Sequence, residues 1–207
     1  MEDQPDKMPK IELHLVIGPM FAGKTTHLIN KVNELVSSGV QMNEILLVNH
    51  SSDARYDTNK ICSHDGSKLD AESISNLNKL YMEHPNYCFP DKKYLFIDEA
   101  QFFIDLYDTV LAIMQSRRSI KKDISIWIFG LDGDFQQKPF KNQSRLLELI
   151  PYSNTITKLV AKCYMCNAPA PFSKRLITSN AQILVGGENI YQPSCFIHLP
   201  TTKATNL

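Results

Sequence analysis

Residues 18 to 25 read Gly18-Pro19-Met20-Phe21-Ala22-Gly23-Lys24-Thr25, which fits G-x-x-x-x-G-K-[ST]. No other pattern in the chain restricts the fold as much, because this one works only between a strand and a helix. Gly18 and Gly23 let the backbone turn tightly and approach an anion. Successive N–H groups then point inward as an anion-binding nest. A helix starting near Lys24 adds the positive end of its dipole. Lys24 is of a length to reach β- and γ-phosphates, and the Thr25 hydroxyl suits Mg²⁺. The flanks agree. Ile11 to Ile17 is a strand-like apolar run, and Leu28, Ile29, Val32, Leu35 and Val36 recur at helical spacing after the loop. Gly39 stands where a helix C-terminal glycine belongs. The alternative is a Gly/Pro turn that binds nothing; with strand, loop and helix in place, a nucleoside triphosphate site is the reading.

Bulk properties narrow the class. A chain of 207 residues holds one main core with a small appendage. Its formal net charge is zero, which argues against a protein that grips a nucleic-acid backbone. The first ten residues are polar, carry Pro5 and Pro9, and are expected to form a tail rather than a secretory signal. No apolar run approaches the ~20 residues of a membrane helix. The five cysteines are an odd number without an export signal, so reduced thiols in the cytosol are expected.

Further along, Glu44 to His50 reads as a second buried strand, completing a βαβ unit and predicting a parallel sheet. The polar loop Ser51 to Asp57 follows at a strand's carboxyl end, where ligand crevices form. Arg55 there is either a phosphate contact or a solvated arginine. Asp70 is placed to cap a helix over 71–83, with Ile74, Leu77 and Leu80 inward. Lys93 to Glu99 is an apolar strand ending in two carboxylates. Asp98 is the natural Mg²⁺ holder, and Glu99 is placed to take a proton from a nucleophile. A helix is predicted over 102–116, with Leu106, Val110, Leu111 and Met114 inward. Arg117, Arg118, Lys121 and Lys122 then read as a solvated connection. A strand over 124–129 leads into Gly130 to Phe135, where Phe135 is either core or a stacking surface for a base, spacing alone favouring core. A short helix over 143–150 is expected to stop at Pro151, and 155–161 reads as a further strand.

Cys163-x-x-Cys166 and Cys195-x-x-His198 read as two knuckles of a Cys₃His zinc site, the alternative being four unrelated buried residues. With all four positions filled by protein, zinc would be structural. Between the knuckles, 170–177 and 181–185 alternate like the two strands of a hairpin.

Taken together, the chain resembles the type II thymidine kinases of cells and large DNA viruses. The segments that carry the resemblance are 18–25, Asp53-x-Arg55-Tyr56, Ile97-Asp98-Glu99-Ala100-Gln101-Phe102-Phe103, Leu131-Asp132-Gly133-x-Phe135-Gln136-x-Lys138-Pro139-Phe140, Lys174-Arg175, Val185-Gly186-Gly187-x-x-x-Tyr191 and both knuckles. The resemblance implies an α/β fold: a RecA-like parallel sheet flanked by helices, then a small zinc-binding lasso domain that closes over a nucleoside. Boundaries follow as a tail over 1–10, a kinase domain over 11–160, the zinc and lasso domain over 161–199 and a tail over 200–207. By resemblance, ATP and its phosphates are held by 18–25 with Asp53, Asp98 and Gln101. Glu99 is the base for the 5′-hydroxyl, Lys24 and Arg55 assist the transfer, and Phe135 packs on thymine. Gln182, Ile183, Leu184, Val185 and Gly186 hold the base largely through main-chain groups, while Met20, Ser173 and Tyr191 shape its pocket. His198 stands where many members have cysteine, and Ser173 where some have threonine. Residues 83 to 93 are long for the family.

The implied activity is transfer of the γ-phosphoryl group of Mg-ATP to the 5′-hydroxyl of thymidine, with deoxyuridine also acceptable, in a cytoplasmic homotetramer inhibited by thymidine triphosphate. Neither nucleic acid nor membrane is an expected partner. The rival reading is a P-loop motor or switch, because Asp98-Glu99-Ala100-Gln101 is also similar to helicase-type ATPases, where the glutamate activates water.

Overall fold

The computed structural model describes residues 8–52, 60–62, 66–83, 91–140, 144–179 and 181–199. Among these, β1 (Ile11–Ile17), β2 (Ile45–His50), β5 (Glu72–Ile74), β6 (Tyr94–Ile97), β7 (Ile124–Gly130) and β8 (Thr155–Lys158) form one sheet in the order β5-β2-β6-β7-β1-β8. All five pairings are parallel, with Leu15 opposite Ile128 on one side of β1 and Ile156 on the other. β3 (Lys60–Cys62) and β4 (Lys68–Asp70) make a separate antiparallel pair. The helices are α1 (Lys24–Ser37), α2 (Asn78–Glu83) and α3 (Leu106–Ser119).

Strand alternation divides the core between two faces. Leu13, Leu15 and Ile17 of β1 join Leu106, Val110 and Ile113 of α3 in one cluster. Val16 joins Leu28, Ile29 and Val32 of α1 in the other. Each fully buried leucine here contributes about 2 kcal/mol of burial. The sheet therefore lies between helices, and its central strands β1, β2, β6 and β7 are largely apolar on both sides, as buried parallel strands are. The predicted end of α1 holds: Gly39 takes φ 100°, its N–H donates to Val36 O at 3.0 Å, and the Val40 N–H donates to Leu35 O at 3.0 Å.

Several sequence expectations differ from the structure. Asp70 caps no helix; it pairs with Lys60 in β4, and the helix starts at Asn78. Its cap comes from far away, because the Asp105 carboxylate accepts the N–H groups of Leu77 at 3.2 Å and Asn78 at 2.8 Å. The predicted helix over 102–116 is a 3₁₀ turn at Ala100–Phe102 followed by α3. Leu111 and Met114 are only half-buried, while Ile113 is fully buried. Arg117 is not solvated. It is 1% exposed and donates to Lys92 O and Asp123 O, both at 2.6 Å, joining the end of α3 to the starts of β6 and β7. Pro151 sits inside a 3₁₀ helix at Leu146–Tyr152 rather than stopping one.

Beyond the sheet, β9 (Ala161–Lys162) pairs with β10 (Pro169–Ala170), and β11 (Phe172–Arg175) with β12 (Tyr191–Ser194). The predicted partner of 170–177 was 181–185, but β11 pairs instead with β12, Arg175 opposite Tyr191. The reason is chemical: carbonyls at 181 and 182 accept from the Arg175 guanidinium instead of from a neighbouring strand. No helix among the described residues is long and apolar enough to cross a membrane.

Candidate active site

The phosphate loop runs from the end of β1 to the start of α1. A Cβ at Gly18 would lie 2.5 Å from Leu159 O, so only glycine fits there. Gly23 takes φ 80°, in the left-handed region that glycine enters without penalty. Lys24 is buried, and its ammonium donates to Pro19 O at 2.8 Å and Gly18 O at 3.2 Å. The Thr25 hydroxyl donates to Asp98 Oδ2 at 3.2 Å. Asp98 is buried at the carboxyl end of β6, and its other oxygen accepts the Glu99 N–H at 2.9 Å. One hydroxyl and one carboxylate, both hard oxygen donors this close together, suit a magnesium ion.

Glu99 has φ 49°, a conformation that costs a non-glycine residue about 1–3 kcal/mol. Gln101 helps fix it there. This fully buried side chain donates from Nε2 to Glu99 Oε2 at 2.5 Å and accepts the Leu131 N–H on Oε1 at 2.9 Å. It thus stands behind Glu99, off the cavity wall. A Cβ on Gly130 would come within 3.0 Å of its Oε1, so the last residue of β7 must be small for Gln101 to fit.

One cavity continues from this end to the second half of the site. Lys24, Thr25, Asp98 and Glu99 line one part; Met20, Phe135, Ser173, Tyr191 and residues 182–186 line the other. Ser173 Oγ accepts the Met20 N–H at 2.9 Å, which joins β11 to the phosphate loop. The buried Asp134 carboxylate accepts the N–H groups of Gln136 at 2.8 Å and Lys138 at 3.0 Å, shaping the loop that carries Phe135. Gln182 Nε2 donates to the same carboxylate at 2.6 Å. Asn49, Phe102 and Asp134 also line the cavity, and sequence reasoning gave them no role there. Asn49 had a signal, since it lies in the last residues of a buried strand. Asp53 and Arg55 lie outside the described residues.

Below this cavity, Cys163, Cys166, Cys195 and His198 bring their ligand atoms within 4.8 Å of one another. Cys166 Sγ and Cys195 Sγ are 3.8 Å apart, and His198 Nδ1 lies 3.3 Å from Cys195 Sγ and 3.5 Å from Cys163 Sγ. Tetrahedral zinc with ordinary bond lengths demands S–S and S–N spacings of about 3.8 and 3.5 Å. The four residues therefore fit one such ion. The Cys195 N–H directed at the Cys163 sulfur, opposed by burial and aided by the N–H groups of Met165 and Cys166, pushes that thiol down to about 6. A thiolate is the form that binds metal.

Residues 11–199 match the family model described as thymidine kinase. The chain belongs to the thymidine kinase family. Similar proteins include a thymidine kinase of rabbit fibroma virus, 36% identical over 183 residues covering 88% of this chain and 93% of the viral protein. The fowlpox virus thymidine kinase is 32% identical over 187 residues, with the same two coverages. A thymidine kinase of rice is 32% identical over 187 residues covering 90% of this chain, and the match spans 65% of the rice protein. The family is one of kinases, and neither the comparisons nor the site geometry favours the motor reading.

Proposed function

We propose that this chain is an ATP-dependent thymidine kinase that makes dTMP for the salvage of DNA precursors, accepting deoxyuridine as a second substrate. The observation that carries the proposal is the single cavity that has Lys24, Thr25, Asp98 and Glu99 at one end and Phe135, Ser173, Tyr191 and 182–186 at the other. A triphosphate and a nucleoside placed in it meet at Glu99.

Phosphoryl transfer of this kind depends on positioning and charge neutralisation. Loop amides and Lys24 cradle the β- and γ-phosphates, Lys24 exchanging its two carbonyl partners for phosphate oxygens. A magnesium ion held by Thr25 and Asp98 would neutralise phosphate charge. Glu99 accepts the proton of the 5′-hydroxyl, and the Gln101 amide keeps that carboxylate aimed at it. Carried over by resemblance, Arg55 steadies the transferring group and Asp53 belongs to the phosphate-binding set. The base packs on Phe135 and against main-chain groups of 182–186, which exclude water from the reacting atoms.

The same reading assigns 11–160 as the kinase domain and 161–199 as a zinc-anchored lasso domain, in a cytoplasmic homotetramer restrained by thymidine triphosphate. Steady-state turnover across the natural nucleosides tests it. Thymidine is expected to be the best acceptor, with ADP formed in equal amount. ATP hydrolysis driven by single-stranded DNA, with no nucleoside phosphorylated, would overturn it.

A further inference from the structure

Arg175 is a buried cation at the end of β11 with unusual company. Its Nη1 donates to Ala181 O at 2.5 Å and Ser179 O at 3.3 Å. Its Nη2 donates to Gln182 O at 2.9 Å and to the Tyr191 hydroxyl at 2.8 Å. That hydroxyl in turn donates a hydrogen bond to Leu184 O at 2.9 Å. The guanidinium lies 3.7 Å from the centre of the Phe135 ring. Its partners among the described residues are thus carbonyls, one hydroxyl and two aromatic faces, with no carboxylate.

A guanidinium taken out of water without a counter-ion is costly unless its donors are filled. Here the two Nη groups are served by three main-chain oxygens of one segment and one hydroxyl, while the buried Nε has no hydrogen-bond partner among the described residues; a planar fork serves several such acceptors at once. The aromatic face adds an attraction of its own, stronger when desolvated. These contacts converge on two cavity walls that arrive from opposite directions in the chain: Phe135 from the loop after β7, and 182–184 from the segment between β11 and β12. Secondary structure does not hold 181–185 in place, so side-chain contacts must.

We infer that Arg175 is a positioning residue for nucleoside binding, locking Phe135 and residues 181–184 into one preformed wall. The inference rests on the nucleoside site proposed above. It touches neither phosphate nor the reacting atoms, so its removal should act on the nucleoside and spare ATP.

The test is R175A and R175K in the full chain, with KM for thymidine and for ATP measured separately and amide hydrogen exchange followed over 182–186. R175A is expected to raise the thymidine KM about ten-fold or more, as loss of a charge-assisted bond on a binding wall would. ATP KM should stay within about two-fold, and exchange over 182–186 should quicken about ten-fold. R175K should fall between, since an ammonium can serve a carbonyl but cannot cover the ring. An R175A protein that is folded with thymidine KM and exchange unchanged overturns the inference. Equal rises in both KM values would do so as well, because they indicate general loosening. Should R175A not fold, R175K and Y191F decide: unchanged exchange and thymidine KM in both is again refutation. Wild-type protein that fails to phosphorylate thymidine would sink the assigned substrate alone, since the exchange of R175A without nucleotide still reports on the lock.

Discussion

The two ends of the cavity are built by opposite means. At the phosphate end every functional group hangs from the sheet: Lys24 and Thr25 begin α1 directly after β1, and Asp98 and Glu99 follow β6 at once. The backbone itself fixes them, through Gly18, where no side chain fits, Gly23 in the left-handed region, and one strained glutamate. At the proposed nucleoside end 181–185 has neither helix nor strand, and it is held by Arg175, Tyr191 and Gln182 and by a neck that Cys163, Cys166, Cys195 and His198 flank. Sites on regular elements are the more precise, and loops held by a few contacts open more easily. Under the proposed function, chemistry falls on the rigid part and substrate choice on the adjustable one.

That contrast can be broken at either end. The largest effect is expected from Glu99→Gln, which should lower kcat by roughly 10²–10⁴, the usual worth of a positioned general base. ATP binding, measured by equilibrium dialysis, should stay intact; near-normal turnover would remove Glu99 from its role. Next comes metal removal. Chelation, or Cys163→Ala, is expected to raise the thymidine KM by at least about ten-fold and to change ATP affinity by a smaller factor, since the knuckles flank the paired strands β11 and β12 and touch the phosphate loop only through the packing of Cys163 and Cys195 near Phe21 and Ala22. Loss of both affinities together would mean that the ends are not separable. Gln101→Leu should lower kcat by about ten-fold with both KM values nearly unchanged, because it leaves the Glu99 carboxylate unanchored; a KM effect instead would place Gln101 on substrate. The smallest change belongs to Ser173→Thr. Threonine keeps the hydroxyl that accepts the Met20 N–H, and the added methyl should shift thymidine over deoxyuridine selectivity by no more than about 1.5 kcal/mol.

What could be read from the sequence follows the same division. The placement of Gly18, Gly23, Lys24 and Thr25 between a strand and a helix was legible because that pattern and spacing fit only such a junction, and the placement of Asp98 because an acid ends an apolar strand. The knuckles were legible because each pairs its ligands locally. Three features were not. The true partner of β11 was hidden, since it depends on where Arg175 sends its donors, a matter of long-range packing. Arg117 looked like one of four basic residues on a turn, yet α3 points it inward onto two carbonyls. Gln101 read as a phosphate contact, whereas its position behind Glu99 needs the Gly130 approach, which no local pattern encodes.

The neck of the lasso has one more consequence. Cys163 and Cys166 precede β11, Cys195 and His198 follow β12, and the strands between them pair. Whatever lies between Arg175 and Tyr191 is therefore a loop closed at its base, and lengthening such a loop adds only slowly to its entropic cost. Length changes there need not disturb the sheet, so under the proposed function the choice of nucleoside can be retuned while the phosphate end stays unchanged.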